Sequence, residues 1–144
     1  MIHVEAAEVS NYREGIILVT FFPGVGVDVS QAEEVIETVL HLARGKRHGN
    51  LVDARKLMFI TGEARARFAR QSPSCLTSTA LVVGSAIQKT MGNLYLTVAR
   101  PKTPTRICSS LEEGVRFITE QNRATVRLPA EELSSAPSFA RRRP

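Results

Sequence analysis

From Ile16 to Phe22 the chain reads IILVTFF, a run without a charge whose β-branched and aromatic content marks a strand buried on both faces. Such a strand needs a layer above and a layer below the sheet that holds it. Ala80 to Gly84 is a second segment of this kind, and Asn50 to Asp53 is a shorter third. Two-sided burial is the habit of parallel sheets covered by helices, so the expected class is α/β. Composition agrees: with no Trp and 6% aromatic residues, the core must be built of Val, Ile, Leu and Ala. A chain of 144 residues, 43% hydrophobic and 23% charged, suits one compact domain.

Taken in order, His3 to Ser10 reads as an edge strand and Asn11 to Gly15 as a hairpin turn into the strand Ile16 to Phe22. Pro23, Gly24 and Gly26 end that strand. Gly24 and Gly26 form a GxG, but residue 29 is Val, so a phosphate-binding fingerprint fails and a plain loop is expected. Ser30 opens a helix with Glu33 completing a capping box, Ala32, Val35, Ile36, Val39, Leu40 and Ala43 at helical spacing, and Gly45 as its stop.

After a polar turn, Lys46 to Gly49, comes the stretch that organises the rest. The strand Asn50 to Asp53 leads through a basic turn, Ala54 to Ile60, into a helix capped by Thr61. A buried strand feeding a helix brings the strand's carboxyl end and the helix's amino end to one surface, where α/β domains usually place function. Ala64 and Phe68 face inward, while Arg65, Arg67 and Arg70 make a basic face, read as solvated surface ahead of a phosphate site; Ser72 and Pro73 end this helix.

Ser85 caps a further helix with Ile87, Met91, Leu94, Tyr95 and Val98 along one side. Lys89 and Thr90 do not complete a phosphate loop, because residues 83 and 88 are Val and Gln rather than Gly. Pro101 and Pro104 stiffen the approach to a last strand, Thr105 to Cys108. Ser109 and Ser110 offer two capping boxes to a final helix whose inner face is Leu111, Val115 and Ile118. The domain is expected to span 1–123, and 124–144, which contains Arg141 to Arg143, to be a disordered basic tail. The whole predicts a mixed, mostly parallel sheet of about five strands with four main helices, its first two strands antiparallel.

Several function classes are disfavoured. The apolar runs are too short to span a bilayer and the amino terminus has no signal-peptide pattern, so a cytoplasmic protein without a transmembrane segment is expected. Cys75 and Cys108 lie far apart without a CxxC or a His at ligand spacing, which points to reduced thiols and no metal. Net charge is +5, but up to Arg123 the 15 basic and 12 acidic residues leave only +3, so nucleic acid is not an expected partner. His3, His41 and His48 have no local acid, nucleophile or metal partner, so no catalytic residue, cofactor or enzyme activity is expected.

This order of elements resembles the STAS fold, and more specifically the bacterial SpoIIAA-like proteins grouped with STAS/SEC14 domains. The resemblance covers Val4 to Gln121. It rests on Val52 to Arg55 followed by Glu63-Ala64-Arg65, on Ala80 to Ser85, and on Lys102-Thr103-Pro104 before the helix Leu111 to Ile118. STAS antagonists carry a phosphorylatable Ser at the amino end of the second helix, and Glu63 stands near that place here. The resemblance therefore implies a noncatalytic regulatory module that docks a protein partner without being switched by Ser phosphorylation. Its partner face would be Arg55, Lys56, Met58, Phe59, Thr61, Glu63 and Arg65, with self-association left open. Equal weight goes to Met58, Phe59 and Ile60 simply plugging the end of the sheet. The SEC14 side implies an alternative, an apolar or anionic small molecule held between the Ile87 to Val98 helix and the sheet by Ile87, Met91, Leu94 and Tyr95.

Overall fold

The structure, a computed structural model, describes residues 1–71 and 75–127. In chain order the elements are β1 (Ile2–His3), β2 (Ala7–Arg13), β3 (Ile16–Phe21), β4 (Gly26–Val27), α1 (Val29–Ala43), β5 (His48–Asp53), β6 (Phe59–Ile60), α2 (Gly62–Ala69), β7 (Leu76–Val82), α3 (Ala86–Leu94), β8 (Thr105–Cys108) and α4 (Leu111–Arg127). Among the described residues the main sheet has six strands in the order β1-β2-β3-β5-β7-β8. The pairs β1–β2 and β2–β3 are antiparallel and the other three are parallel. This is the mixed, mostly parallel α/β sheet with an antiparallel start that the apolar runs predict. A separate parallel pair joins β4 to β6.

The sixth strand arises at the amino terminus, where the expected strand His3 to Ser10 is broken. Ala6 and Ala7 are both buried, which violates the alternation of a strand, and the chain folds back so that the Val4 N–H donates to the Ala7 carbonyl at 2.9 Å. β2 then runs on to Arg13 through an irregularity between Asn11 and Arg13, leaving Glu14 and Gly15 as a tight turn with Gly15 at φ +76°.

Helix ends follow local chemistry. α1 starts two residues earlier than the Ser30–Glu33 box requires. The Asp28 carboxylate accepts from the Gln31 N–H at 2.9 Å, and the Gln31 side chain accepts from the Asp28 N–H at 3.0 Å. Asp-x-x-Gln satisfies the same two orphan donors, and its charge gains from the helix dipole. Thr61 and Ser85 cap α2 and α3 as expected, accepting from the Ala64 and Gln88 N–H groups at 3.1 Å each. At α4 the Glu113 N–H donates to Ser110 Oγ at 3.1 Å, while the Glu113 carboxylate reaches back to the Ser109 N–H at 3.1 Å. α4 continues to Arg127, past the expected end near Arg123. The helix end expected at Ser72 and Pro73 and the tail from Leu128 lie outside the described residues.

Two further corrections bear on function. β5 begins at His48, not Asn50, and His48, Gly49 and Asn50 are all buried. Their polarity mimics a turn, yet Gly49 is there because Ile118 of α4 lies against its backbone: a Cβ at Gly49 would stand 2.3 Å from Ile118 Cγ2. Val98, expected on the inner side of the third helix, is 76% exposed. α3 passes into a π-helical turn, Tyr95–Ala99, and the extra residue per turn rotates the following side chains away from the sheet.

Alternation splits the core in two. Ile16, Leu51, Ala80, Val82 and Cys108 face α4, where Phe117 and Ile118 meet them. Val9, Ile17, Val19 and Phe21 face Ala32, Val35 and Val39 of α1 and Ala64 of α2. The close seat of α4 is testable at Gly49. Replacing a strand glycine with alanine ordinarily gains about 0.5–1 kcal/mol, whereas overpacking a filled core costs about 1–3 kcal/mol. Overpacking outweighs the backbone gain here, so Gly49→Ala is expected to lower the urea midpoint without changing the denaturant slope. An unchanged or raised midpoint would show that α4 has room to shift.

Candidate functional site

On the face opposite α4, α1 packs on β2 and β3, and α3 approaches β8. Between them β5 and β7 form the floor of a cavity of about 290 Å³. Val19 and Phe21 of β3, Val52 of β5 and Leu81 of β7 make that floor apolar. Val35, Ile36 and Val39 of α1, Phe68 of α2, and Met91, Gly92 and Tyr95 of α3 and its π turn also line the cavity. Leu57 to Ile60 line it as well, with Met58 and Phe59 open to solvent at its rim.

Polar groups in this cavity are few. Asn50 is 4% exposed, lines the floor, and its Oδ1 has no hydrogen-bond partner. A buried amide left in that state costs about 1–3 kcal/mol, so the fold tolerates it against its own stability. Thr79 stands beside it in register on β7, about 4.8 Å away across the strands, and also lines the cavity. The other buried side-chain oxygen without a partner among the described residues, Ser78 Oγ, lies outside the cavity lining. Arg65 lines the cavity and donates one N–H to the Ile60 carbonyl at 2.8 Å. The Tyr95 phenol is pushed up to about 12 by burial and stays protonated at neutral pH.

The rim is pinned from two sides. Arg55 grips Asp53 with Nε and Nη2 at 2.9 and 2.8 Å, and these hydrogen bonds hold the Asp53 carboxyl below the usual aspartate range. Gln88 accepts from the Gly84 N–H at 2.7 Å and donates to the Arg55 carbonyl at 2.8 Å, tying the start of α3 to the turn after β5.

The residues expected to form a partner face are divided by this geometry. Met58 and Phe59 are 70% and 55% exposed at the rim, and Arg55, Lys56 and Glu63 are also exposed. Leu57 and Ile60 pack onto the core, and the Phe59 ring lies over Gly26. The Thr61 hydroxyl is engaged as a cap, and Arg65, expected in a solvated basic face, turns to the cavity instead. Of the second set, Met91 and Tyr95 line the cavity; the side chains of Ile87 and Leu94 lie outside the described residues. Asn50, Thr79, Phe68 and Gln88 were missed. The available signal was an Asn inside an otherwise buried strand. Cys75 and Cys108 are free thiols, and burial pushes Cys108 up to about 11. Among the described residues no His, Cys, Asp or Glu cluster could hold a metal ion, and no helix is long and apolar enough to cross a membrane.

Set against known proteins, residues 11–122 match the family model described as Domain of unknown function (DUF7793). No curated protein matches the chain. Among solved structures it is similar to an uncharacterized protein of the DUF3478 family with a SpoIIAA-like fold from Shewanella loihica PV-4. That likeness has a TM-score of 0.57 and 7% identity, and covers 78% of this chain and 92% of that one. A protein of unknown function from Arthrobacter sp. FB24 is 22% identical, with a TM-score of 0.31, over 78% of this chain and 98% of that one. The first likeness shows the SpoIIAA-like fold and nothing about activity.

Two outcomes follow for the rim. Thr61→Ala is expected to lower unfolding free energy by about 1 kcal/mol in chemical denaturation, and Thr61→Ser to leave it within error. Asp53 has a folded-state pKa below its ordinary 3.8, so its stabilisation is complete above that value and is lost as pH falls through the lower folded one. Asp53→Asn should therefore flatten the fall in stability below about pH 4 seen in thermal melts of the wild type; an unchanged acid limb would show that the Arg55 pair does not persist in solution.

Proposed function

The chain belongs to the DUF7793 family, whose description leaves function open, and from its own geometry we propose a noncatalytic module of SpoIIAA-like fold that binds a small, mainly apolar molecule in the cavity between the sheet and α1 to α3. The observation that carries this reading is Asn50, a buried side chain among those lining the cavity floor whose Oδ1 has no hydrogen-bond partner. Ligand sites are typically apolar concavities with a few placed polar groups, and this cavity has that make-up. The titratable side chains among its described lining are Arg65 and Tyr95. A guanidinium and a phenol held protonated are poor acid–base catalysts at neutral pH, which favours binding over catalysis. A cytoplasmic setting suits the two free cysteines.

Replacing Asn50 tests this directly. Asn50→Leu swaps an unsatisfied amide for an apolar side chain of similar shape. It is expected to raise unfolding free energy by about 1–2 kcal/mol while reducing the fraction of any ligand retained by the purified wild type in native mass spectrometry. A loss of stability of that size would identify Asn50 as a structural residue and contradict the reading.

A second reading, docking of a protein partner at the rim, is favoured by the exposure of Met58 beside Arg55 and Lys56. Ser or Thr phosphorylation is not proposed as its switch, because the Thr61 hydroxyl is already engaged and Glu63 supplies a fixed charge in the first turn of α2. Met58→Glu should leave stability within about 0.5 kcal/mol and remove a specific partner from pull-downs with the wild type. A partner retained by the variant would rule out this surface.

A further inference from the structure

The same cavity also carries information about what fills it. We infer that its ligand is a small bipolar molecule: a carboxylate at the Arg65 end, an apolar middle, and a hydroxyl-type donor at the Asn50 end. This inference rests on the cavity being a ligand site and goes on to name the class of ligand.

Three observations specify the class. Arg65 is the one ionic side chain among the described residues that line the cavity, so nothing there offsets its charge. Of its five N–H donors one goes to the Ile60 carbonyl, and among the described residues no carboxylate pairs with it. An unpaired guanidinium beside an apolar cavity favours a monoanion, and its planar fork suits a carboxylate. On the floor, by contrast, the demand is neutral: Asn50 is a buried amide with an unpartnered oxygen, with Thr79 next to it and no charge nearby in the lining. A hydroxyl meets that demand, whereas a second carboxylate would be desolvated without a counter-charge.

Volume sets the size. At about 290 Å³ the cavity has roughly twice the volume of one that binds benzene, which admits about a dozen non-hydrogen atoms. That is a chain of about ten carbons or a bicyclic body, too small for a two-chain membrane lipid.

The test is calorimetric titration of the full chain at neutral pH with 10-hydroxydecanoate, decanoate and decane-1,10-diol, with folding of each variant checked by circular dichroism. Hydroxydecanoate is expected to bind one to one and about tenfold or more tighter than either probe lacking one polar end. Arg65→Gln should remove the advantage over the diol, and Asn50→Leu the advantage over decanoate. Arg67→Gln, which alters the other face of α2 where Arg67 pairs with Glu33, should change neither. Diol binding as tight as hydroxydecanoate, with Arg65→Gln indifferent, would overturn the anionic end and leave the cavity as a ligand site. Decanoate binding as tight as hydroxydecanoate would overturn the donor end. Failure of a folded wild-type protein to bind any of the three would overturn the binding reading itself, and this inference with it. The wild-type comparison alone decides between these outcomes if a variant does not fold.

Discussion

The structure depends on the need to cover β5 and β7 on both faces. Parallel strands with apolar side chains above and below cannot leave either face to water. On one face the 17 residues of α4 lie across the strands, and Gly49 lets Ile118 sit directly on the backbone of β5. On the other face the task is divided among α1, which serves β2 and β3, and two short helices, α2 of 8 residues and α3 of 9. Helices of about 12–14 Å flank the middle of the sheet without closing over it. The unequal cover leaves a tight core on the α4 face and this cavity on the other.

Where the cover is incomplete, polar groups decide what the space can hold. An empty apolar void would cost dispersion contacts alone, whereas Asn50 adds an unmet hydrogen bond on top of that cost. A leucine there would be cheaper for folding. The rim shows the opposite treatment: Arg55, Asp53 and Gln88 are hydrogen-bonded to one another or to the backbone and hold the turn after β5 against the start of α3. The frame of the opening is thus rigidly bonded while a group on its floor is left without a partner, an arrangement that suits preorganised binding.

Much of the fold was legible from local pattern. Ile16 to Phe21 occurs as a strand where its apolar run places it, Thr105 to Cys108 forms the expected short last strand, and Thr61 and Ser85 cap helices because their hydroxyls meet orphan N–H groups three residues on. Two of the misread boundaries are not local in origin. At His48 and Gly49 tertiary packing overrides local polarity, and at Val98 a π turn overrides helical periodicity. The site was less legible. Met91 and Tyr95 could be placed on a helix facing the sheet, but the arginine that turns inward, Arg65, cannot be told by spacing from its solvated neighbours. A cavity belongs to the assembled layers, so Asn50 is a buried strand residue in the sequence and a cavity-lining group only in three dimensions.

The central claim is that the Asn50 amide is reserved for a molecule other than the protein. A high-resolution crystal structure of the protein purified without denaturation or detergent would test it most directly. The expected result is continuous density that is neither protein nor separate waters, filling the cavity and within hydrogen-bond distance of Asn50. A cavity closed by α2 and α3, with the Asn50 amide bonded to protein groups, would contradict it.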